Sequence, residues 1–308
     1  PVLRFTMAAG DDGARFTVTA RNVAGAAVGT ESVLRLATQG RVVRLPTVAS
    51  TRVPVRPVDV WLPAGYDEAT STRYPVIYLQ DGQNLFNRDD SFGGAVWGAD
   101  RALARLVLEG RARPAILVGV WSIGAQRAAE YMPQKALAGR TDAESFSLLG
   151  HTVGKVRSDA YLSYLVHDLK PVVDQTFRTL PDRANTFVMG SSMGGLISAY
   201  ALLEHPEVFG GAACVSTHWP AGEGAVVPYL ARHLPTPGKH RWYFDFGTEA
   251  LDAGYEAHQV VVDRAMKAAG YREGHDWITR KFAGADHSER AWSRRVEIPL
   301  EYLLRVHP

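Results

Sequence analysis

One stretch constrains this chain more than any other. The apolar run Thr186-Phe187-Val188-Met189 leads into Gly190-Ser191-Ser192-Met193-Gly194-Gly195 and then into Leu196-Ile197-Ser198-Ala199-Tyr200-Ala201-Leu202-Leu203. Read as strand, sharp turn and helix, this is a G-x-S-x-G elbow with Ser192 at its tip. Such a turn is strained, and a Cβ at Gly190 or Gly194 would collide with the neighbouring strand and helix. The strain lifts the Ser192 hydroxyl out of the sheet. The start of the following helix aims backbone N–H groups and a partial positive charge at the same spot. Alone, the pattern is also that of a Gly/Ser-rich turn without chemistry. Its flanks, and the acid and His that follow it, argue for a nucleophile.

The 308 residues are enough for one large α/β domain or two small ones. Hydrophobic residues make up 46% and charged residues 21%, so the chain can bury a full core without staples. A formal net charge of +2 and the lack of Lys/Arg runs argue against a nucleic-acid partner. No apolar stretch reaches the roughly 18 residues needed to span a bilayer, so no membrane partner is expected. The single Cys214 excludes an intrachain disulfide and a Cys-based metal cluster; in Gly211-Ala212-Ala213-Cys214-Val215-Ser216 it reads as a small core residue. The chain begins at Pro1 rather than Met, which reads as trimming. No signal peptide is visible, so a cytoplasmic protein and one secreted after signal removal both stay open. A homo-oligomer is compatible with everything above.

Strand and helix signals alternate from Pro57 onward. Strands are expected at Val58–Leu62, Val76–Leu79, Ala115–Val120, Thr186–Met189, Gly211–Ser216, Trp242–Phe246 and Trp277–Phe282. Helical periodicity runs through 99–108, 160–177, 196–203, 255–269 and 290–305. This order predicts an α/β fold with a mostly parallel central sheet covered by helices on both faces. Residues 1–52 read as a strand-rich extension, the first thirty as an edge hairpin or an arm, and 53–308 as the catalytic domain. The aperiodic stretch 121–158 reads as a flap over Ser192.

Serine needs a base within reach and a third group to orient that base. Among ten His residues, His287 in Gly284-Ala285-Asp286-His287-Ser288-Glu289 follows the last expected strand, at the carboxyl edge where active sites form. His218, in Ser216-Thr217-His218-Trp219, is the rival and reads as pocket lining together with Trp219. The acid belongs between nucleophile and His, in Phe244-Asp245-Phe246-Gly247-Thr248-Glu249-Ala250-Leu251-Asp252. Asp245 sits inside the strand, between two Phe, and is expected to face away. Asp252 is favoured, with Glu249 the alternative if Asp252 is a helix N-cap. The oxyanion donors are expected to be the backbone N–H of Met193 and, after Gly82 turns the chain, that of Gln83. Trp97, Trp121, Trp219, Phe86 and Tyr131 are candidate walls for substrate, though such residues are as often core. Arg127 could meet an acidic substrate, but Glu130 one turn away offers it a local ion pair.

At these residues the chain resembles the putative esterase family of the α/β-hydrolases, which includes esterase D, enterochelin esterases, feruloyl esterases and mycolyltransferases. The resemblance rests on Tyr78-Leu79-Gln80-Asp81-Gly82-Gln83-Asn84-Leu85-Phe86, the Gly190–Gly195 elbow, Phe246–Asp252 and Gly284–His287. Arg127-Ala128-Ala129-Glu130-Tyr131-Met132-Pro133 also looks like a segment of that family near its active site. It covers roughly Val53 to the C-terminus. The resemblance implies a Ser-His-acid triad, an oxyanion hole from Gln83 and Met193, no metal or other cofactor, a small-molecule ester as substrate, and acyl transfer to water. Transfer to another alcohol, amide cleavage, and a non-catalytic binding role on the same fold are the competing functions.

Overall fold

The computed structural model describes residues 40–139, 146–148 and 151–306, together with the backbone of four short strands before them. The chain divides into two compact units, Pro1–Gln39 and Gly40–Pro308. In the first, β1 (Arg15–Phe16) pairs antiparallel with β4 (Ser32–Val33), and β2 (Thr19–Asn22) with β3 (Gly25–Val28). The remainder of the expected hairpin or arm lies outside the described residues.

The second unit is built on one eight-stranded sheet. Its strands are β5 (Arg41–Arg44), β6 (Val58–Leu62), β7 (Val76–Gln80), β8 (Ile116–Val120), β11 (Thr186–Ser191), β12 (Gly211–Val215), β13 (Arg241–Gly247) and β14 (Trp277–Phe282). The order across it is β14-β13-β12-β11-β7-β8-β6-β5. The run from β14 to β8 is parallel; β6 pairs antiparallel with β8, and β5 pairs antiparallel with β6. A second hairpin, β9 (Phe146–Leu148) with β10 (His151–Gly154), stands apart from it.

Alternation within the central strands explains why both faces are covered. Val76 and Tyr78 of β7 belong to one apolar cluster, while Ile77 and Leu79 belong to the other. The first face packs against α3 (Ser158–Ser163), α4 (Lys170–Thr176), α5 (Met193–Glu204), α6 (Val226–His233) and α7 (Tyr255–Ala268). The second packs against α1 (Ala99–Leu108), α8 (Glu289–Ser293) and α9 (Glu297–Leu304). The sequence pattern gave α3 and α4 as one helix; a wider π turn over Tyr164–Leu169 joins them. It also gave α8 and α9 as one. None of the described helices is long and apolar enough to cross a membrane.

Sheet topology selects the place for a site. From β7 the chain goes through α1 to β8 on one side, then returns to lay β11 on the other side of β7. The loops after β7 and β11 therefore diverge and leave a crevice at their carboxyl ends. The stretch expected as an aperiodic flap is only partly so. It contains α2 (Arg127–Tyr131) and a short 3-10 helix, Gln134–Leu137, and residues 129–133 are buried. That portion is a fixed wall; residues 140–145 and 149–150 of the expected flap lie outside the described residues.

The wall is anchored by a buried ion pair. Arg56 Nη2 and Nη1 donate to Glu130 Oε1 at 2.6 Å and Oε2 at 2.8 Å, and both side chains are fully buried. The guanidinium also lies over the Tyr161 ring at 5.2 Å. Removing one partner leaves an uncompensated buried charge. Arg56→Met is therefore expected to lower stability by about 3–5 kcal/mol in urea unfolding. Adding Glu130→Leu is expected to restore much of that loss. A double variant no more stable than Arg56→Met contradicts this account.

Candidate active site

Ser192 stands between β11 and α5 with φ 58° and ψ −122°, a backbone conformation that costs a non-glycine residue strain. Neighbours hold it there. The Ser192 N–H donates to the Val215 carbonyl at 2.9 Å, and its carbonyl accepts from the His218 N–H at 3.2 Å. A Cβ on Gly190 would lie 2.5 Å from the Gly194 carbonyl oxygen and 2.9 Å from Gln80 Cγ, so only glycine lets the helix start close onto β7. Eleven residues of α5, Met193 to Leu203, are buried, which fixes this helix rigidly behind the serine.

His287 follows β14 in a short turn and comes to the serine from 95 residues away. Its Nε2 lies 2.9 Å from Ser192 Oγ, and its Nδ1 lies 2.5 Å from Asp252 Oδ1. The ring is clamped edge-on between Tyr255 at 5.7 Å and Trp292 at 4.9 Å, both T-shaped. Of the two candidate acids, the structure brings Asp252 to the imidazole. Glu249 is exposed, and its N–H donates to the Ala285 carbonyl at 3.0 Å.

Asp252 sits in a 3-10 turn, Ala250–Gly254, and is fully buried. Burial alone would raise its carboxyl. Hydrogen bonds from His287, Ser216 and the Gly247 N–H outweigh it and hold the group below the usual carboxylate range. The Ser216 hydroxyl donates to Oδ2 at 2.5 Å and the Gly247 N–H at 2.6 Å. Ser216 in turn accepts from Trp292 Nε1 at 3.0 Å and from Arg295 Nη2 at 2.7 Å. Arg295 Nη2 also donates to Asp245 Oδ1 at 3.0 Å. Asp245, expected to face away from the site, is thus one layer behind it. Ser216 was not foreseen. Its position at the carboxyl end of β12, beside His218, was the available signal.

His218 lies next to this chain without joining it. Its Nδ1 is 2.5 Å from the Tyr255 hydroxyl. Burial first, then His287 and Arg127, push its pKa down to about 4, so it is an uncharged neighbour near neutral pH.

Met193 is the first residue of α5, and Gln83 lies in the 3-10 turn Gly82–Asn84 after β7. The turn there is not made as the sequence suggests. Asp81, with φ 56°, supplies the left-handed residue. Gly82 is needed instead for close approach, because a Cβ there would lie 2.4 Å from the Gly119 carbonyl carbon. Asp81 is held by Arg127, whose Nε and Nη2 donate to its two oxygens at 2.7 Å each. The expected local pair of Arg127 with Glu130 is therefore replaced by two long-range pairs, Arg127–Asp81 and Arg56–Glu130. Gln83 itself is tied through its amide to Ser122, donating to Oγ at 2.8 Å and accepting from N–H at 3.2 Å.

The expected aromatic walls separate into two groups. Trp97 and Trp219 are only 4% and 1% exposed. Trp97 packs on Trp292 at 5.9 Å, and Trp219 donates from Nε1 to Gln259 at 2.9 Å; both fill the core rather than an open wall. Tyr131 is likewise buried, its hydroxyl accepting from the Asp81 N–H at 3.3 Å. Phe86 is half-buried and lines a surface cavity of about 450 Å³ with Gly82 and Gln83. Trp121 is half-buried, donates to Asp59 at 2.8 Å and carries Arg44 over its ring at 4.6 Å.

Comparison with known proteins agrees with this architecture. The family model described as Putative esterase matches residues 54–297. The chain is 24% identical over 245 residues to an endo-1,4-beta-xylanase/feruloyl esterase of Xylanibacter ruminicola, an alignment covering 78% of this chain but only 28% of that protein. It is 23% identical over 253 residues to the uncharacterized protein YbbA of Bacillus subtilis, covering 79% of this chain and 90% of that one. A solved ferulic acid esterase structure shares the fold with a TM-score of 0.61 at 18% identity, covering 86% of this chain and 98% of that chain. With more than half of its 308 residues inside the family model, the chain belongs to the Putative esterase family, on an α/β-hydrolase fold.

Proposed function

We propose that this chain is a serine carboxylic-ester hydrolase that works through an acyl-enzyme. The observation that carries this reading is the continuous chain from Ser192 Oγ to His287 Nε2 at 2.9 Å and from His287 Nδ1 to Asp252 Oδ1 at 2.5 Å. Ser192 Oγ attacks the ester carbonyl carbon as His287 Nε2 takes its proton. The carbonyl electron pair moves to oxygen, where the Met193 and Gln83 N–H groups donate to it. One such donor typically contributes on the order of 3 kcal/mol to transition-state stabilisation. The C–O bond to the alcohol then breaks, and His287 returns the proton to the leaving oxygen. Water, deprotonated by the same imidazole, attacks the acyl-serine; the C–Oγ bond then breaks, His287 gives that proton to Ser192 Oγ, and the acid leaves. Asp252 fixes the imidazole tautomer and stabilises its charged form.

Substrates in this reading are small-molecule esters. The name of the xylanase/feruloyl esterase relative makes esters of aromatic acids the first class to assay. Arg127 acts as a brace for the loop that carries Gln83, through Asp81, rather than as a substrate contact. The reading is tested by Ser192→Ala with aryl esters: turnover near the parent rate in a folded variant contradicts it.

A further inference from the structure

A second cavity lies at the opposite edge of the sheet from Ser192. Residues at the amino ends of four successive parallel strands build it. Ala184 precedes β11, Gly210 precedes β12, Lys239, His240 and Arg241 open β13, and His275 and Asp276 precede β14, while Arg305 closes it after α9. Its volume of about 160 Å³ corresponds to roughly five waters at liquid density.

The charges around this cavity do not balance. Arg241 donates to the Leu303 carbonyl at 2.7 Å, Arg305 to the His275 carbonyl at 3.2 Å, and nearby Arg113 to Asn185 Oδ1 at 2.9 Å. Each of these acceptors is neutral. Among the described residues no carboxylate pairs with Arg113, Lys239, Arg241 or Arg305. The one acidic group in the lining, Asp276, is already engaged by the Arg272 N–H and by His275 Nδ1, both at 2.8 Å. Arg113 Nε and Arg305 Nε are buried without a hydrogen-bond partner. Burial first, then repulsion from Arg305 and Arg113, push Arg241 down to about 10. Three half-buried guanidinium groups and an exposed ammonium thus outnumber the one carboxylate beside them and repel one another, and orphaned buried donors are rare.

We propose that this cavity is a binding site for one small tetrahedral dianion of the phosphate class, held by Arg241, Arg305 and Lys239. A tetrahedral oxyanion supplies acceptor oxygens for the unused guanidinium N–H groups and cancels the excess charge. The volume suits a single such group better than a nucleotide. The site is independent of the ester chemistry, since it lies at the other ends of the strands that carry Ser192 and Asp252.

Thermal melting and titration calorimetry of the full chain with inorganic phosphate, against sodium chloride at matched ionic strength, test it. Saturable stabilisation by phosphate at one site is expected. Arg241→Gln and Arg305→Gln should each weaken phosphate binding about tenfold or more, while changing the melting temperature of the phosphate-free protein little, because relief of cation–cation repulsion offsets the lost hydrogen bond to a backbone carbonyl. Exposed Lys239→Ala keeps the test open should either Arg variant misfold, and should weaken binding by a smaller factor. Ester turnover should be unchanged in all three. Pyrophosphate binding as well as or better than phosphate would point to a larger phosphorylated ligand and overturn the single-group assignment. No phosphate effect beyond matched salt, or full phosphate binding in the Arg variants, overturns the proposal.

Discussion

Ser192→Ala is expected to lower kcat on aryl esters by a factor on the order of 10⁵ or more, with the melting temperature unchanged. The serine is half-buried on a strained bend already stabilised by main-chain hydrogen bonds to Val215 and His218. Removing its oxygen disturbs none of these. His287→Ala is expected to cost a similar factor, and the double variant little more than either single one, because attack and proton transfer fail together. Measured kcat values for the three variants check this. Losses that multiply in the double variant would mean that the two residues act independently, which is incompatible with the 2.9 Å contact being used in turnover.

The second large effect separates the two acids. Asp252→Asn is expected to lower kcat by about 10⁴-fold, since an amide facing His287 Nδ1 favours the wrong tautomer and offers no charge to an imidazolium. Glu249→Gln should change kcat little, because Glu249 is exposed and makes its hydrogen bond through its backbone. Parallel steady-state kinetics decide the matter, and a larger loss in Glu249→Gln reverses the assignment. A loss of stability in Asp252→Asn is also expected, as Ser216 and the Gly247 N–H both donate to this carboxylate. Urea unfolding separates that effect from the kinetic one.

The fold was largely legible because its signals are local. Val76–Leu79 and Thr186–Met189 are unbroken apolar runs of strand length, and the Gly-Ser-Ser-Met-Gly turn announces its own geometry. Ser192, His287 and the pair of acids were legible as candidates because each follows a strand end. What the sequence hides is pairing at long range. Glu130 meets Arg56 from 74 positions away, and Arg127 meets Asp81 from 46 positions away, although Arg127 and Glu130 are neighbours on one helix. Burial is hidden too. Trp97 and Trp219 look like wall residues in loops, yet both are drawn into the core by rings and amides distant in the chain. Ser216 carries no motif at all, and its role as a donor to Asp252 comes only from the approach of β12 to the turn after β13.

The most direct measurement is labelling of the intact protein by an aryl fluorophosphonate, followed by peptide mass spectrometry. One adduct per chain, on Ser192, absent in Ser192→Ala and much slower to form in His287→Ala, is the predicted result. No adduct, or an adduct on another residue while ester turnover persists, contradicts the account.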